Sequence, residues 1–211
     1  MAYTYEVQAN VVHASKYKPT GKEHILLDTQ VLLWMFYPKI SSPMLAIPPP
    51  ARDQLKVYPA LLKSLISARS MLYYSGFNLP ELFHQIERFE CGLHCYGTKV
   101  EMKPKQYRHE VADAMQQILD EVQTIWQKIS RIAHLISVSL NTSFLQDSLT
   151  YYGISRVDGY DHFMLEVVRT AGVPLWILSD DGDMACVKGV TVVTENQSVL
   201  ADAYSKGLVL I

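Results

Sequence analysis

The sequence contains few cysteines and no long apolar run. Its 211 residues include only three Cys, an odd number, and the first residues lack the basic start and apolar stretch of a secretory signal. We therefore expect reduced thiols and a cytoplasmic location. No uninterrupted apolar stretch is long enough to span a bilayer, so we expect no membrane partner.

The sequence also lacks several common motifs and any overall basic charge. It contains neither a Gly-x-Gly-x-x-Gly pattern nor a P-loop, and no Ser lies in a Gly-x-Ser-x-Gly elbow. The spacing of Cys91, His94 and Cys95 fits no common zinc finger, so we interpret residues 91–105 as a loop with ordinary thiols. The net charge of −2 leaves only local patches for contact with nucleic acid.

Apolar runs do alternate with helical patterns along the chain. Residues 24–27, 175–178 and 190–193 are typical of strands buried within a sheet, and residues 208–211 predict a last, edge strand. Helical patterns separate these runs, so we predict an α/β fold in which a mostly parallel sheet carries helices on both faces. The length favours one domain over residues 1–211.

The remaining segments are interpreted as additions to this core. Residues 1–22 are weakly patterned and predict a short extension or an edge element. Helical spacing covers residues 55–75 and, as one long pattern, residues 107–139. The prolines at 48–50 mark a break in the chain. Asn78 stands at the position of a helix N-cap, ahead of the next helical pattern.

Acidic residues lie at the ends of the predicted elements. Asp28 and Asp181 each follow an apolar strand, whereas Glu81 and Asp161 each open a helix. In a parallel sheet these positions share one edge, so we expect the four acids to converge. Like charges gather only at a cost, and carboxylate oxygens without His or Cys favour Mg²⁺ or Mn²⁺. Such an ion polarises a phosphoryl oxygen and activates water for phosphodiester hydrolysis.

Neighbouring residues support this cluster. Thr29 and Ser179 each lie beside a key acid and are predicted to orient a carboxylate or the attacking water. Asp180 and Asp183 lie close to Asp181 in the run Ser-Asp-Asp-Gly-Asp. Residue type alone does not decide which of these three acids holds the metal.

At these residues the sequence resembles the PIN-domain ribonucleases, among them the VapC-type toxins of bacterial toxin–antitoxin pairs. The matching runs, within residues 24–195, are Ile25-Leu-Leu-Asp28-Thr29, Asn78-Leu-Pro-Glu81-Leu, the helix from Asp161 to Ala171-Gly172, and Ser179-Asp-Asp181. The resemblance implies a Rossmann-like three-layer α/β/α sandwich and a Mg²⁺ or Mn²⁺ site that cuts RNA. The acid positions that it assigns are Asp28, Glu81, Asp161 and Asp181, with Asp183 as a fifth candidate ligand.

The family pattern also bears on the points that residue type leaves open. Its Ser/Thr-x-Asp motif favours Asp181 over its two acidic neighbours. The chain is longer than a minimal PIN toxin, and we interpret residues 38–75 and 107–139 as helical insertions into a core over about residues 24–211. For a toxin, the resemblance further implies a homodimer and an antitoxin protein whose segment occludes the acidic cleft.

Other interpretations of these residues stay open. Taken singly, Glu81 fits a capping box, Asp161 a helix-start acid, and residues 180–183 a solvated turn. The same fold suits a non-catalytic module that binds RNA or protein, and a DNA-directed or structure-selective nuclease. The densest basic segment consists of Lys99, Lys103, Lys105 and Arg108. It is a candidate RNA-binding surface, with an ordinary solvated surface as the alternative.

Overall fold

Seven strands and their connecting helices organise the part of the chain that the structure describes. The computed structural model describes residues 5–42, 49–155 and 157–210. The strands are β1 (Asn10–His13), β2 (His24–Leu27), β3 (Met71–Ser75), β4 (His134–Ile136), β5 (Trp176–Leu178), β6 (Thr191–Thr194) and β7 (Val209–Leu210). The helices are α1 (Thr29–Phe36), α2 (Pro49–Ala68), α3 (Asn78–Thr98), α4 (Pro104–Glu110), α5 (Ala114–Ser130), α6 (Thr142–Ser155), α7 (Gly159–Thr170), α8 (Gly182–Ala185) and α9 (Gln197–Lys206), with a 3₁₀-helix at Pro38–Ser41. Within the described ranges, no helix is both long and apolar enough to cross a membrane.

The strands form one sheet in the order β4-β3-β2-β5-β6-β1-β7. Every described strand pair runs parallel, so the predicted mostly parallel sheet is confirmed. The chain moves outward from β2 through β3 and β4, and in the opposite direction from β5 to β6. The strand order therefore reverses between β2 and β5. In open α/β sheets, ligands bind outside the carboxyl ends of the strands at such a point.

Helices cover both faces of the sheet. In β2, Ile25 and Leu27 pack among side chains of α1, α2, α3 and α5. Leu26 points to the other face and packs with Met164 and Val167 of α7. Burial from both sides explains why β2 is an uninterrupted apolar run. The three layers are consistent with a Rossmann-like sandwich.

Residues 10–13 form an integral strand of the sheet, so the prediction of an extension or edge element is wrong for that part of residues 1–22. β1 lies between β6 and β7, and its Val11 pairs with residues on both neighbours. Two adjacent valines are too short a run to stand out in the sequence, and pairing on both sides stabilises the strand. The edge strand predicted over residues 208–211 is confirmed as β7, except that Ile211 lies outside the described residues.

β3 replaces the end of a predicted helix. Residues 55–75 are not helical throughout, because Arg69 adopts a left-handed φ of 64° and stops α2 before β3 begins. The range 38–75 therefore contains a strand of the sheet and is not a purely helical insertion. α2 starts at Pro49, and Pro48 lies outside the described residues.

The pattern over residues 107–139 is likewise not one helix. α4 and α5 are separate, with a break where Asp113 has a φ of 63°, and the end of the range forms β4. Conversely, residues 91–105 are not all loop, because α3 continues through two glycines as far as Thr98. It ends where Lys99 adopts a left-handed φ of 60°. Left-handed residues other than Gly thus set helix ends that the sequence pattern does not reveal.

Candidate functional site

The register of β2 against β5 brings two predicted site residues together. Leu27 lies opposite Leu178, so Asp28 and Ser179 are the next residues of two adjacent parallel strands. The Ser179 hydroxyl donates a hydrogen bond of 2.7 Å to Oδ2 of Asp28. Only 3 % of Asp28 is exposed, and this bond fixes the orientation of its carboxylate.

Asn78 attaches the start of α3 to the end of β2. The N-cap of α3 is Phe77, so the prediction that Asn78 caps the helix is wrong. Instead, its Oδ1 accepts a hydrogen bond from the Ser75 N–H (2.7 Å). Its Nδ2 donates to the Leu27 carbonyl oxygen (3.2 Å) and to the Thr29 hydroxyl (3.0 Å). These bonds hold the acidic first turn of α3 beside the end of β2.

The start of α7 supplies two acids. Asp158 is the N-cap, and its carboxylate accepts hydrogen bonds from the N–H groups of Tyr160 (2.8 Å) and Asp161 (3.1 Å). Asp161 follows in the first turn and is only 6 % exposed. Across the described parts of the chain, no residue donates a hydrogen bond to the Asp161 carboxylate or forms an ion pair with it.

The turn after β5 supplies further acids. Asp181 is the N-cap of α8, and its Oδ1 accepts a hydrogen bond from the Asp183 N–H (2.8 Å). The Asp181 N–H donates to the Ser179 hydroxyl (3.0 Å), the same group that binds Asp28. One carboxylate oxygen from each of Asp161, Asp181 and Asp183 lies within 4.8 Å of the other two. This spacing suits oxygen ligands around one cation.

These elements enclose a cleft of about 140 Å³. Its acidic lining consists of Asp28, Glu81, Asp158, Asp161 and Asp181. Four of these acids were predicted from the sequence, and Asp183 lies beside them without lining the cleft. Asp158 was missed as a site residue, because starting a helix is sufficient reason for an Asp; its position three residues before Asp161 was the available signal. No Lys or Arg is present among the described residues that line the cleft.

Burial and mutual repulsion raise the pKa of the two most buried acids. Desolvation, reinforced by the charge of Glu81, raises the pKa of Asp28 to about 7, although the Ser179 hydrogen bond opposes the rise. Desolvation also raises the pKa of Asp161 to about 9, and the charges of Asp28 and Asp181 add to it. Both carboxylates are therefore costly to ionise in the absence of a cation.

The pKa values of two further acids rise for the same reasons. Desolvation raises the pKa of Glu81, and a hydrogen bond with Thr29 opposes that rise. Desolvation, followed by the charge of Asp181, raises the pKa of Asp183. A bound divalent cation reverses this situation, because it favours the charged form of every carboxylate around it. Since all of these groups offer oxygen ligands, they fit a hard ion such as Mg²⁺ or Mn²⁺.

Asp180, the remaining acid of the turn, does not line the cleft. Its carboxylate accepts hydrogen bonds from the Tyr58 hydroxyl (2.5 Å), the Thr194 hydroxyl (3.3 Å) and the Gln54 amide. It also accepts one from the Glu195 N–H (3.3 Å). Asp180 thus joins α2 to the ends of β5 and β6, and it has donors of its own, whereas Asp161 has none among the described residues.

The predicted basic segment is separate from the cleft. Its exposed members are Lys99, Lys103, Lys105 and Arg108. Lys99 lies at the far end of α3, about five helical turns beyond Glu81. Its ammonium group is 4.1 Å from the ring centroid of Tyr96, and Arg108 pairs with Glu87 at 3.4 Å. Lys99 could therefore contact RNA only at a distance from the acids, and none of the four basic residues lines the cleft.

No protein-family model matches the chain, and no curated protein or solved structure gives a significant match.

Proposed function

We propose that this chain is a Mg²⁺- or Mn²⁺-dependent endoribonuclease. The observation that carries this proposal is the buried Asp161 carboxylate, for which no described residue supplies a donor or a positive charge. Burying a carboxylate without a partner is costly, and neighbouring carboxylates increase the cost. A divalent cation in the cleft relieves both costs. The proposed ligands are Asp28, Glu81, Asp161 and Asp181, with Asp183 beside them.

The same charges favour a phosphodiester as the substrate. A phosphate group cannot approach five carboxylates unless a cation lies between them, since the described lining offers no Lys or Arg. When bound, the ion would supply the Lewis acidity that stabilises negative charge on a phosphoryl group during hydrolysis. The choice of RNA over DNA rests on the resemblance to PIN-domain ribonucleases.

The protein's own groups would position the reactants. Ser179 holds the Asp28 carboxylate through a 2.7 Å hydrogen bond, so Asp28 would keep one orientation toward the ion. Thr29 acts on Glu81 by opposing the rise in its pKa. A water molecule that attacks phosphorus must lose a proton, and a carboxylate of the cleft would accept that proton.

Cleavage of RNA by the purified protein tests this proposal. Cleavage is expected with Mg²⁺ or Mn²⁺ and should stop when a chelator is added. Asp28→Asn and Asp181→Asn should each lower the rate by at least ~100-fold, because each removes a proposed ligand. Asp120→Asn is the matched control. Asp120 is exposed on α5, so this substitution removes one negative charge outside the cleft. Full activity in both cleft variants, free of contaminating nuclease, would contradict the assignment.

Parallel substrates separate the alternatives. If the protein cleaves single-stranded DNA or a flap faster than RNA, the proposed substrate is DNA or the flap structure and not RNA. Retained RNA binding without cleavage or metal binding would indicate a non-catalytic module instead.

The toxin role rests on the resemblance to PIN-domain ribonucleases alone. The homodimer and the antitoxin partner that go with this role rest on the same resemblance. A small antitoxin-like gene immediately upstream would support it. Growth arrest on expression, lost in Asp28→Asn, is the direct test.

A further inference from the structure

Beyond the acids, the cleft continues as a groove between α1 and α3. On α3, Glu81, Gln85 and Phe89 recur every four residues and therefore share one face. On α1, Gln30 and Trp34 have the same spacing, and all five residues line the cleft. From the acids outward, the groove passes a layer of amides and then a layer of aromatic rings. Each layer lies about one helical turn, roughly 5–6 Å, beyond the previous one.

Packing holds the aromatic layer in place on the α1 side. The ring of Trp34 packs on Tyr58, with 5.1 Å between the ring centroids. Tyr58 is fully buried; its hydroxyl donates to Asp180 at 2.5 Å and accepts from the Glu195 N–H at 2.9 Å. Trp34 itself stays partly exposed. Its position is thus fixed by its neighbours while it still lines the groove.

The amide layer is neutral and has both donors and acceptors. Gln30 is exposed on α1, and Gln85 is half-buried on α3, where its Oε1 accepts a 3.4 Å hydrogen bond from Arg88. An amide side chain offers donors and an acceptor together, the combination that matches the edges of nucleobases. Because these groups carry no charge, they add nothing to the negative charge of the neighbouring carboxylates.

We propose that this groove binds one unstacked base of a single-stranded nucleic acid, with the base stacked on Trp34 and its edge hydrogen-bonded to Gln85 and Gln30. The inference rests on the proposed function, which puts the substrate phosphate at the acids. Single-stranded RNA presents splayed bases to aromatic rings and polar side chains. A duplex must first be unpaired and unstacked to do so. These three residues would therefore determine specificity, and the acids would perform the hydrolysis.

Nucleoside 5′-monophosphates and ribose 5-phosphate, each with Mg²⁺, are the probes for this inference. At least one nucleotide should change the tryptophan emission and bind measurably by calorimetry, and ribose 5-phosphate should do neither. Trp34→Phe keeps a ring for packing but should lose the emission change. Gln85→Ala should weaken binding on the order of 5- to 100-fold, as expected for loss of a hydrogen-bonded base contact. Gln127→Ala, at an exposed position of α5, should bind like the unmodified protein.

Each contrary result is distinct. The base site would be overturned if no nucleotide binds, or if ribose 5-phosphate binds as tightly as the nucleotides. It would also be overturned if the emission change survives in Trp34→Phe, or if Gln85→Ala and Gln127→Ala bind equally well. Base binding at Trp34 without RNA cleavage would keep the site and refute the nuclease. RNA cleavage at a rate unaffected by abasic positions would keep the nuclease and refute the site.

Discussion

Replacing Asp28 by Asn should stabilise the metal-free protein at pH 8. The carboxyl group of Asp28 has an ordinary pKa of 3.8 in the unfolded chain, but desolvation and the charge of Glu81 raise it to about 7 in the folded state. The folded state therefore binds this proton more tightly than the unfolded state. By linkage, the stability falls as the pH rises from about 4 to about 7 and stays low above that range.

The expected size of the effect follows from the same two values. The difference between a pKa of 3.8 and one of about 7 corresponds to about 4 kcal/mol at pH 8. The amide of Asn is neutral at every pH, and its oxygen can still accept the hydrogen bond from Ser179. Allowing for imperfect replacement of that bond, we expect a gain of about 2–4 kcal/mol at pH 8 and of less than about 1 kcal/mol near pH 4.

Urea denaturation followed by circular dichroism, at pH 4.5 and pH 8 with a chelator, measures both values. Asp120→Asn is the control and should change stability by less than about 0.5 kcal/mol. Addition of Mg²⁺ at pH 8 should stabilise the unmodified protein and leave Asp28→Asn nearly unchanged. A variant that is less stable than the unmodified protein at pH 8 in chelator would show that the Asp28 charge is already compensated within the protein. The Asp28 carboxylate would then need no cation.

Three further predictions concern other acids. Mg²⁺ at 100 times its dissociation constant should stabilise the protein by about 2.7 kcal/mol; thermal denaturation with and without chelator should show this, and Asp181→Asn should lose most of it. Tyr58→Phe should lower the free energy of unfolding by about 1.5–3 kcal/mol in urea, because the Asp180 carboxylate loses its 2.5 Å donor. Although burial opposes the shift, hydrogen bonds from Ser70, Tyr17 and Thr20 hold the pKa of Glu23 well below 4.5. Glu23→Gln should therefore cost stability at pH 7, and a pH series of urea denaturation should show the difference shrinking as the pH falls below 4.5 toward the folded pKa.

The strands that could be predicted are those that form a continuous apolar run in the sequence. β2 and β5 are covered on both faces, so each is a continuous apolar run that ends at polar site residues. β3 and β4 were missed because they lie toward one edge of the sheet and keep accessible positions, such as the partly exposed Tyr73 and the exposed His134. Their sequences continue the preceding helical pattern, and only a backbone conformation such as that of Arg69 separates helix from strand.

The part of the site that could be predicted consists of the acids at the ends of strands and the starts of helices. Asp28, Glu81 and Asp161 follow from that position and from the parallel sheet. The groove beyond them could not be predicted, because Gln85 and Trp34 become neighbours of one another only when α1 and α3 pack side by side. The four-residue spacing from Glu81 to Gln85 and from Gln30 to Trp34 was present in the sequence, but nothing in it indicated which helix faces meet.

The number of hydrogen-bond donors, rather than the number of acids, separates structural carboxylates from the proposed metal ligands. Six acidic residues in the described part of the chain are buried, and Glu23, Glu90, Glu166 and Asp180 each have donors or a cation from the protein. Asp28 has one side-chain donor, Ser179, and its pKa is raised. Asp161 has none among the described residues, and its pKa is raised further. The need for an external cation therefore increases from Asp180 to Asp28 to Asp161, in the order in which protein donors disappear.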